Sequence, residues 1–482
     1  MTDVDRRDFF LASAGLALTA ELPRAGSARA PAAAAAAATD VTHHLAKYVV
    51  SAKAEDLPGP VRKEAARTVL NWMGAALGGS RHETVDNALA ALSPFSGPAQ
   101  ASILGRKERL DILHAALMNG ISSHVLDFDD THPQTIIHPA APVLPAILAL
   151  AEYRPMSGSE FLTAFVVGVE VECRIGNMAY PKHYDAGWHI TGTAGVFGAA
   201  AAAGKLLGLS EQQITWALGL AATQPVGLQE MFGTMTKSFH PGRAAQNGLT
   251  SALLAARNFT SSSQSLEARY GWGNVLSASL NFARLTERLG ESYEISVNTY
   301  KPFPCGIVMH PTIDGCIQLR KEHALTADAI DRVELKVHPL VLQLTSKKAP
   351  ASGLESKFSI YHAASVALIE GAAGVEEFSD RAAHNASVVA LRDRVTAVVD
   401  STIKEDQVRV TISMKDGRRL EKFVEHAVGS VEHPMSDSDL EAKFTRLADG
   451  VLPHDRIRRV IDLCWKVEAL KDVAELPRAA TV

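Results

Sequence analysis

From about Asp40 to Leu289 the chain is written in helical text, with alanine and leucine dominant and stops at glycine and proline. So long a stretch of helical patterning calls for a core of helix packed on helix. "GLSEQQITWALGLAATQ" shows the unit clearly. Ser210 is the N-cap, Gln213 its capping-box partner, and Ile214, Leu218 and Ala221 line one face. "VRKEAARTVLNWMGAALGG" and "GTAGVFGAAAAAGKLLGLS" have the same texture, and the small residues of the second predict helices packed very closely. The texture changes near residue 293. "RVELKVHPL" alternates like a strand, and "VRVTISMKDGRRLEKFVEH" gives two alternating runs joined at Lys415-Asp416-Gly417-Arg418, a hairpin signal. A helix, "SIYHAASVALIEG", lies between them. The expected fold is mainly α: a large all-helical domain (40–294, with a C-terminal return over 429–482) and a smaller inserted α+β lid domain (295–428). Ligand sites favour the interface between two such domains.

The N-terminus reads separately. Arg6 and Arg7 stand just ahead of Phe9, Phe10 and a short apolar run, and Ala28-Arg29-Ala30 offers a small-x-small cleavage pattern. Residues 1–30 are therefore expected to be a twin-arginine export signal and 31–39 a disordered spacer. The expected location is the periplasm, or the cytoplasm if the signal does not function. No later apolar run is long enough to span a bilayer. A net charge of -5 gives no sign of a nucleic-acid or membrane partner, so positive charge for an anionic substrate must be gathered locally. Cys173, Cys305, Cys316 and Cys464 form no CxxC pair, which argues against a structural zinc or a cysteine-held cluster. Buried free thiols are expected.

Residues 124–139, "HVLDFDDTHPQTIIHP", concentrate three aspartates, two threonines and three histidines. Asp127-Phe128-Asp129-Asp130-Thr131 fits the DxDxT pattern of magnesium-dependent phosphatases of the haloacid-dehalogenase type. That pattern needs a buried strand in front of it. Here Leu113, Ala116, Leu117 and Ile121 recur at helical spacing, which speaks against it. A metal site of Asp127, Asp129, His132 and His138 would have to converge across an extended, proline-rich loop. In the plainest reading Asp130 or Thr131 caps a turn and His124 ends a helix.

Three further stretches change the weighing: "GWHITGTAGVFGAAAAAGKLLGLS", "GTMTKSFHPGRAAQNGL" and "YKPFPCGIVMHP". With "HVLDFDDTHPQTIIHP", in this order, the chain after about residue 40 resembles the MmgE/PrpD family, which includes 2-methylcitrate dehydratase, cis-aconitate decarboxylase and iminodisuccinate epimerase. The resemblance implies a helical domain with a smaller lid, a homodimer, and neither metal nor organic cofactor. It places the site on Asp127, Thr131 and His138, on His189 after "GW", on Lys237 after "MT", on Lys301 opening "KPFP", and on Tyr361. Where the decarboxylase branch has a histidine two residues after "FP", this chain has Gly306, which weighs against decarboxylation. The spacing from Asp127 to His138 is also one residue longer than that branch implies.

These residue types suit carboxylate chemistry. Taking a proton from carbon beside a carboxylate is hard unless cations stabilise the developing charge, a role expected of Lys237 and Lys301, with Arg243 in support. "HPGR", His240 to Arg243, is expected to open a helix whose free N–H groups hold a carboxylate. His138 and His189 titrate in the range useful for proton transfer, and Asp127 either orients a histidine or acts as a base. His183, His240 and His310 are reserves. The expected function is a metal-independent lyase of small di- or tricarboxylates, a dehydratase of the 2-methylcitrate type. Epimerisation or decarboxylation is the alternative within the family, and a non-catalytic periplasmic carboxylate-binding protein the alternative of another class.

Overall fold

The computed structural model describes residues 40–482; the export signal and spacer expected at 1–30 and 31–39 lie outside the described residues. The helical body contains α1 (Val41–Ser51), α2 (Gly59–Gly79), α3 (Ile112–His124), α4 (Ala140–Tyr153), α5 (Gly158–Ala179), α6 (Ile190–Leu206), α7 (Glu211–Ala222) and α8 (Thr236–Ala255). Their ends follow the local sequence. Asp111 accepts from the N–H groups of Leu113 and His114 to start α3, and Ser157 with Glu160 forms a capping box on α5. Ser210 caps α7 through Gln213 as the sequence predicts, and Ile214, Leu218 and Ala221 are buried.

The smaller part is α+β. It holds α9 (His310–His323), β1 (Ile330–Val337), α10 (Ile360–Glu370), β2 (Val395–Val399), β3 (Val408–Met414) and β4 (Arg419–Val424). The sheet order is β2-β1-β3-β4, with β1 and β2 parallel and the other neighbours antiparallel. The β3–β4 turn falls at the predicted Lys415–Arg418, where Gly417 takes a φ of 89°. The chain then returns to the helical body as α11 (Asp437–Ala448) and α12 (His454–Trp465), both packed on α2. Among the described residues no helix is long and apolar enough to cross a membrane, and all four cysteines are free and buried.

Close packing fixes the frame of the site. Helix α8 lies against both α3 and α6. A Cβ added to Gly120 would stand 2.5 Å from the Cα of Gly242, and one on Gly248 would stand 2.7 Å from the carbonyl of Val196. Only glycine permits backbones to approach this closely, so the register of α3 on α8 is set, and with it the placement of His124 against Lys237. One expectation is corrected here. His240–Arg243 do not open a helix; they sit inside α8, which starts at Thr236 with Lys237 in its first turn. Pro241 has no N–H, and those of His240, Gly242 and Arg243 lie within the helix rather than at its free end.

Replacing Gly120 by Ala should destabilise the fold by ~1–3 kcal/mol, the usual cost of overpacking a core. Equilibrium urea unfolding measures it, and an unchanged midpoint would refute the close-approach account.

Candidate active site

The loop after α3 turns sharply at Asp127, whose φ of 53° is left-handed and strained for a residue with a side chain. Two buried lysines hold the turn. Lys357 donates to Leu126 O at 2.9 Å and Pro304 O at 2.8 Å. Lys443, from α11, donates to Phe128 O at 2.6 Å, Lys301 O at 2.8 Å and Asn71 Oδ1 at 2.7 Å. Each ammonium thus ties the aspartate loop to the Lys301 loop. Burial pushes Lys357 down to about 8 and Lys443 down to about 7. A two-residue antiparallel ribbon, Asp130–Thr131 against Thr299–Tyr300, joins the same two loops.

Asp127 is the centre. Lys301 Nζ bonds its Oδ1 and Lys237 Nζ lies 3.2 Å from the same atom. Burial alone would raise this carboxyl, yet Lys237 and Lys301 more than offset it and hold it well below the usual range. It is ionised and a poor base, which removes that half of the role expected of it. Its Oδ2 is buried with no hydrogen-bond partner among the described residues.

From Lys237 a chain of polar contacts runs inward. Its Nζ donates to His124 Nε2 at 2.9 Å, and His124 Nδ1 donates to Asp129 Oδ2 at 2.6 Å. His124 is therefore neutral and serves to aim the lysine, a role its position at a helix end did not announce. Asp129 is held low because His124 and His138 outweigh its burial. Neighbouring Asp130 goes the other way: burial, then the charge of Asp129, raises it to about 7.

His138 is set up to accept a proton. Its Nδ1 donates to the carbonyl of Asp130 at 2.7 Å, with Thr131 Oγ1 at 3.3 Å. A carbonyl only accepts, so the hydrogen is on Nδ1 and the lone pair on Nε2. Burial drives His138 well below the ordinary histidine range, so it is neutral. His189, the N-cap residue of α6, is likewise neutral through burial and the nearby His240 and Lys237. Its Nδ1 shares a hydrogen with His240 Nδ1 at 2.9 Å. The His138 and His189 rings are 6.4 Å apart.

Asp127, His138, His189, Lys237 and Lys301 all line one pocket, together with Tyr184, Phe232 and Phe358. The other expected residues do not line it. Thr131 lies beneath His138 as a supporting contact. Arg243 is on the exposed side of α8, bonded to Gln246 at 2.6 Å. Tyr361 is buried in α10 near Lys348. Among the reserves, His240 supports His189, His183 bonds Leu276 O and Thr193, and His310 packs on Phe303. Sequence reasoning missed Tyr184, Lys357 and Lys443, which belong to none of the quoted motifs in a recognisable role.

His124, His138 and His189, or Asp127, Asp129 and His138, bring possible ligand atoms within 4.8 Å of one another. A cation there would share its space with the ammonium of Lys237, already against His124 and Asp127. His132 takes no part, since it bonds Thr135 and Glu294, so the four-residue metal set of the sequence does not assemble. The DxDxT reading fails structurally as well, because helix α3 stands where that pattern needs a strand. A wider surface cleft by Lys53, Arg154 and Lys205 lies apart from these residues.

The comparisons agree with this architecture. The model of the MmgE/PrpD N-terminal domain matches residues 43–285 and that of the MmgE/PrpD C-terminal domain residues 303–467. Cis-aconitate decarboxylase of Homo sapiens is 29% identical over 464 residues, covering 90% of this chain and 93% of that protein. Cis-aconitate decarboxylase of Aspergillus terreus is 26% identical over 472 residues, covering 91% and 96%. The mitochondrial 2-methylcitrate dehydratase of Yarrowia lipolytica is 22% identical over 454 residues, covering 87% and 86%.

Replacing Asp127 by Asn leaves two buried ammonium groups facing each other and should cost ~3–5 kcal/mol near neutral pH. The folded carboxyl ionises below its unfolded value of about 4, so its contribution is full above that pH and is lost as pH falls below it. Urea unfolding should therefore show a wild-type advantage that narrows below about pH 4. A variant as stable as wild type at neutral pH would contradict the account.

Proposed function

The chain belongs to the MmgE/PrpD family, and on that premise we propose that it is a lyase of small polycarboxylates that removes a proton beside a carboxylate and expels water. The observation that carries this reading is the pairing of a neutral His138, its Nε2 lone pair free, with two ammonium groups beside it. A substrate carboxylate docks on Lys237 and Lys301, which draw electron density from the neighbouring carbon. His138 Nε2 takes the proton as the carbanion develops. The carbanion's electron pair forms the double bond as the C–O bond breaks. The departing hydroxide, facing His189 and Oδ2 of Asp127, takes the abstracted proton back from His138 and leaves as water. No step calls for a divalent ion, so exhaustive dialysis against EDTA should leave turnover intact, and a loss restored by magnesium would contradict this.

One observation favours a second reading. The relatives matched at 29% and 26% identity are named cis-aconitate decarboxylases, against 22% for the dehydratase. In that case the bond to one carboxylate breaks, CO2 leaves, and the carbanion is quenched by a proton that His138 must first take up from solvent. Gly306, where that branch carries a histidine, weighs for dehydration. Incubation with a panel of di- and tricarboxylates, followed by NMR, separates the two: dehydration gives an alkene with every carboxylate retained, decarboxylation a product with one fewer.

His138→Gln should lower kcat by roughly 10²–10⁴ with KM little changed. Lys237→Ala should cost ~1.5–3 kcal/mol of transition-state binding, lowering kcat/KM about tenfold to over a hundredfold through both binding and chemistry. A His138→Gln enzyme with near-normal kcat would take His138 out of the mechanism.

We also propose export in folded form, supported by Arg6-Arg7 ahead of Phe9-Phe10. The double variant Arg6→Lys/Arg7→Lys should remain in the cytoplasm on cell fractionation. Unchanged fractionation would refute this.

A further inference from the structure

The proposed chemistry leaves Tyr184 without a task. It sits in the short helical turn Lys182–Asp185, just ahead of His189 in the sequence. Gln229 Nε2 donates to the carbonyls of Tyr184 at 2.7 Å and Trp188 at 3.2 Å, so the segment carrying both pocket residues is held by its backbone. Tyr184 is only 3% exposed, and it lines the pocket.

The other polar side chains of that lining have partners in the protein. Lys237 and Lys301 meet Asp127, His138 donates to the carbonyl of Asp130, and His189 shares a hydrogen with His240. The Thr345 hydroxyl donates to the carbonyl of Val341. Tyr184 is bonded only through its carbonyl, and its hydroxyl has no partner among the described residues. A buried hydroxyl without a hydrogen bond costs free energy, which a ligand that completes it returns. Burial first, then Tyr180 and Asp127, raise the phenol above the usual tyrosine value, so it keeps its hydrogen and donates.

Beside the Nε2 atoms of the two histidines, the other unspent side-chain atom on the wall is Oδ2 of Asp127, a buried acceptor without a donor. A carboxylate only accepts, so the charge of Asp127 would repel it. A hydroxyl does both: it donates to Oδ2 and accepts from the phenol. The N–H groups of Ile307 and Val308, also in the lining, are free as well. They bring no acceptor with them, and as adjacent donors they match the two oxygens of a carboxylate.

We infer that Tyr184 is a further catalytic residue: its O–H donates to the oxygen of the substrate hydroxyl, whose own hydrogen goes to Oδ2 of Asp127. This rests on the lyase reading above and supplies the leaving group with its donor. As the C–O bond breaks, negative charge gathers on that oxygen and the phenol's hydrogen bond strengthens. No proton leaves Tyr184; the departing hydroxide is protonated by His138 and goes as water.

The test uses Tyr184→Phe, which removes the oxygen and keeps the ring. Two pairs of acids differ only by a hydroxyl: citrate with propane-1,2,3-tricarboxylate, and malate with succinate. Calorimetry on the purified protein measures binding, and NMR measures turnover. The inference expects the hydroxy acid of a pair to bind the variant about twofold to tenfold more weakly, with its hydroxyl-free partner unchanged. It also expects kcat for the hydroxy acid to fall about tenfold or more. Equal weakening of both members would place the phenol on a carboxylate and overturn the inference. So would no change in either, an unchanged kcat, or a wild type that binds neither pair. The expected binding pattern with no turnover of any acid would sustain the contact and defeat the lyase reading instead. A crystal structure of the wild type with the hydroxy acid bound should place its hydroxyl within hydrogen-bond distance of Tyr184 Oη. A carboxylate there would overturn the inference whether or not the variant folds.

Discussion

The site hangs on one buried ion cluster: the carboxylate of Asp127 between the ammonium groups of Lys237 and Lys301. Burial lowers Lys237 and Asp127 works against that fall, while the two lysines hold Asp127 ionised against its own burial. Around this cluster the structure spends further polar groups on geometry alone. Lys357 and Lys443 pin the carbonyls on either side of Asp127, and His124 passes the pull of Asp129 to Lys237. The strained backbone at Asp127 persists because so many contacts over-determine it.

That cluster is positioned by an uncharged framework. Backbone contact at glycine brings α3, α6 and α8 close enough for His124, His189 and Lys237 to meet, although they are far apart in sequence. The smaller part of the chain contributes Lys301, Lys357 and the lining side chains of Ile307, Val308 and Leu344, and the returning α11 contributes Lys443. The result is a pocket in which Asp127, Lys237 and Lys301 carry the charge and the neutral His138 and His189 stand among the same lining residues. Such a division separates the task of holding an anion from that of moving a proton.

Much of this was legible in the sequence. The helical periodicity, the Ser210 cap, the change of texture near 293 and the Lys415–Arg418 turn come from local chemistry, which a single chain displays. The four motifs also picked out the residues that line the pocket with charge or imidazole. What stayed hidden depends on the third dimension. Arg243 is six residues beyond Lys237 on the same helix, about 240° further round its axis, and so it faces solvent. Reading "HPGR" as a helix start failed because Pro241 sits inside α8, a place where proline normally breaks a helix, and the helix runs through it. The tautomer of His138 is set by a carbonyl, and the roles of Lys357 and Lys443 by carbonyls contributed from remote loops. Backbone acceptors leave no mark on the sequence.

The most direct test of the central claim is a crystal structure with a non-reacting di- or tricarboxylate bound. The account predicts one carboxylate within hydrogen-bond distance of Lys237 Nζ and Lys301 Nζ, with the adjacent carbon facing Nε2 of His138. An acid bound instead at the surface cleft by Arg154 and Lys205, with the Asp127 pocket closed to it, would contradict the account.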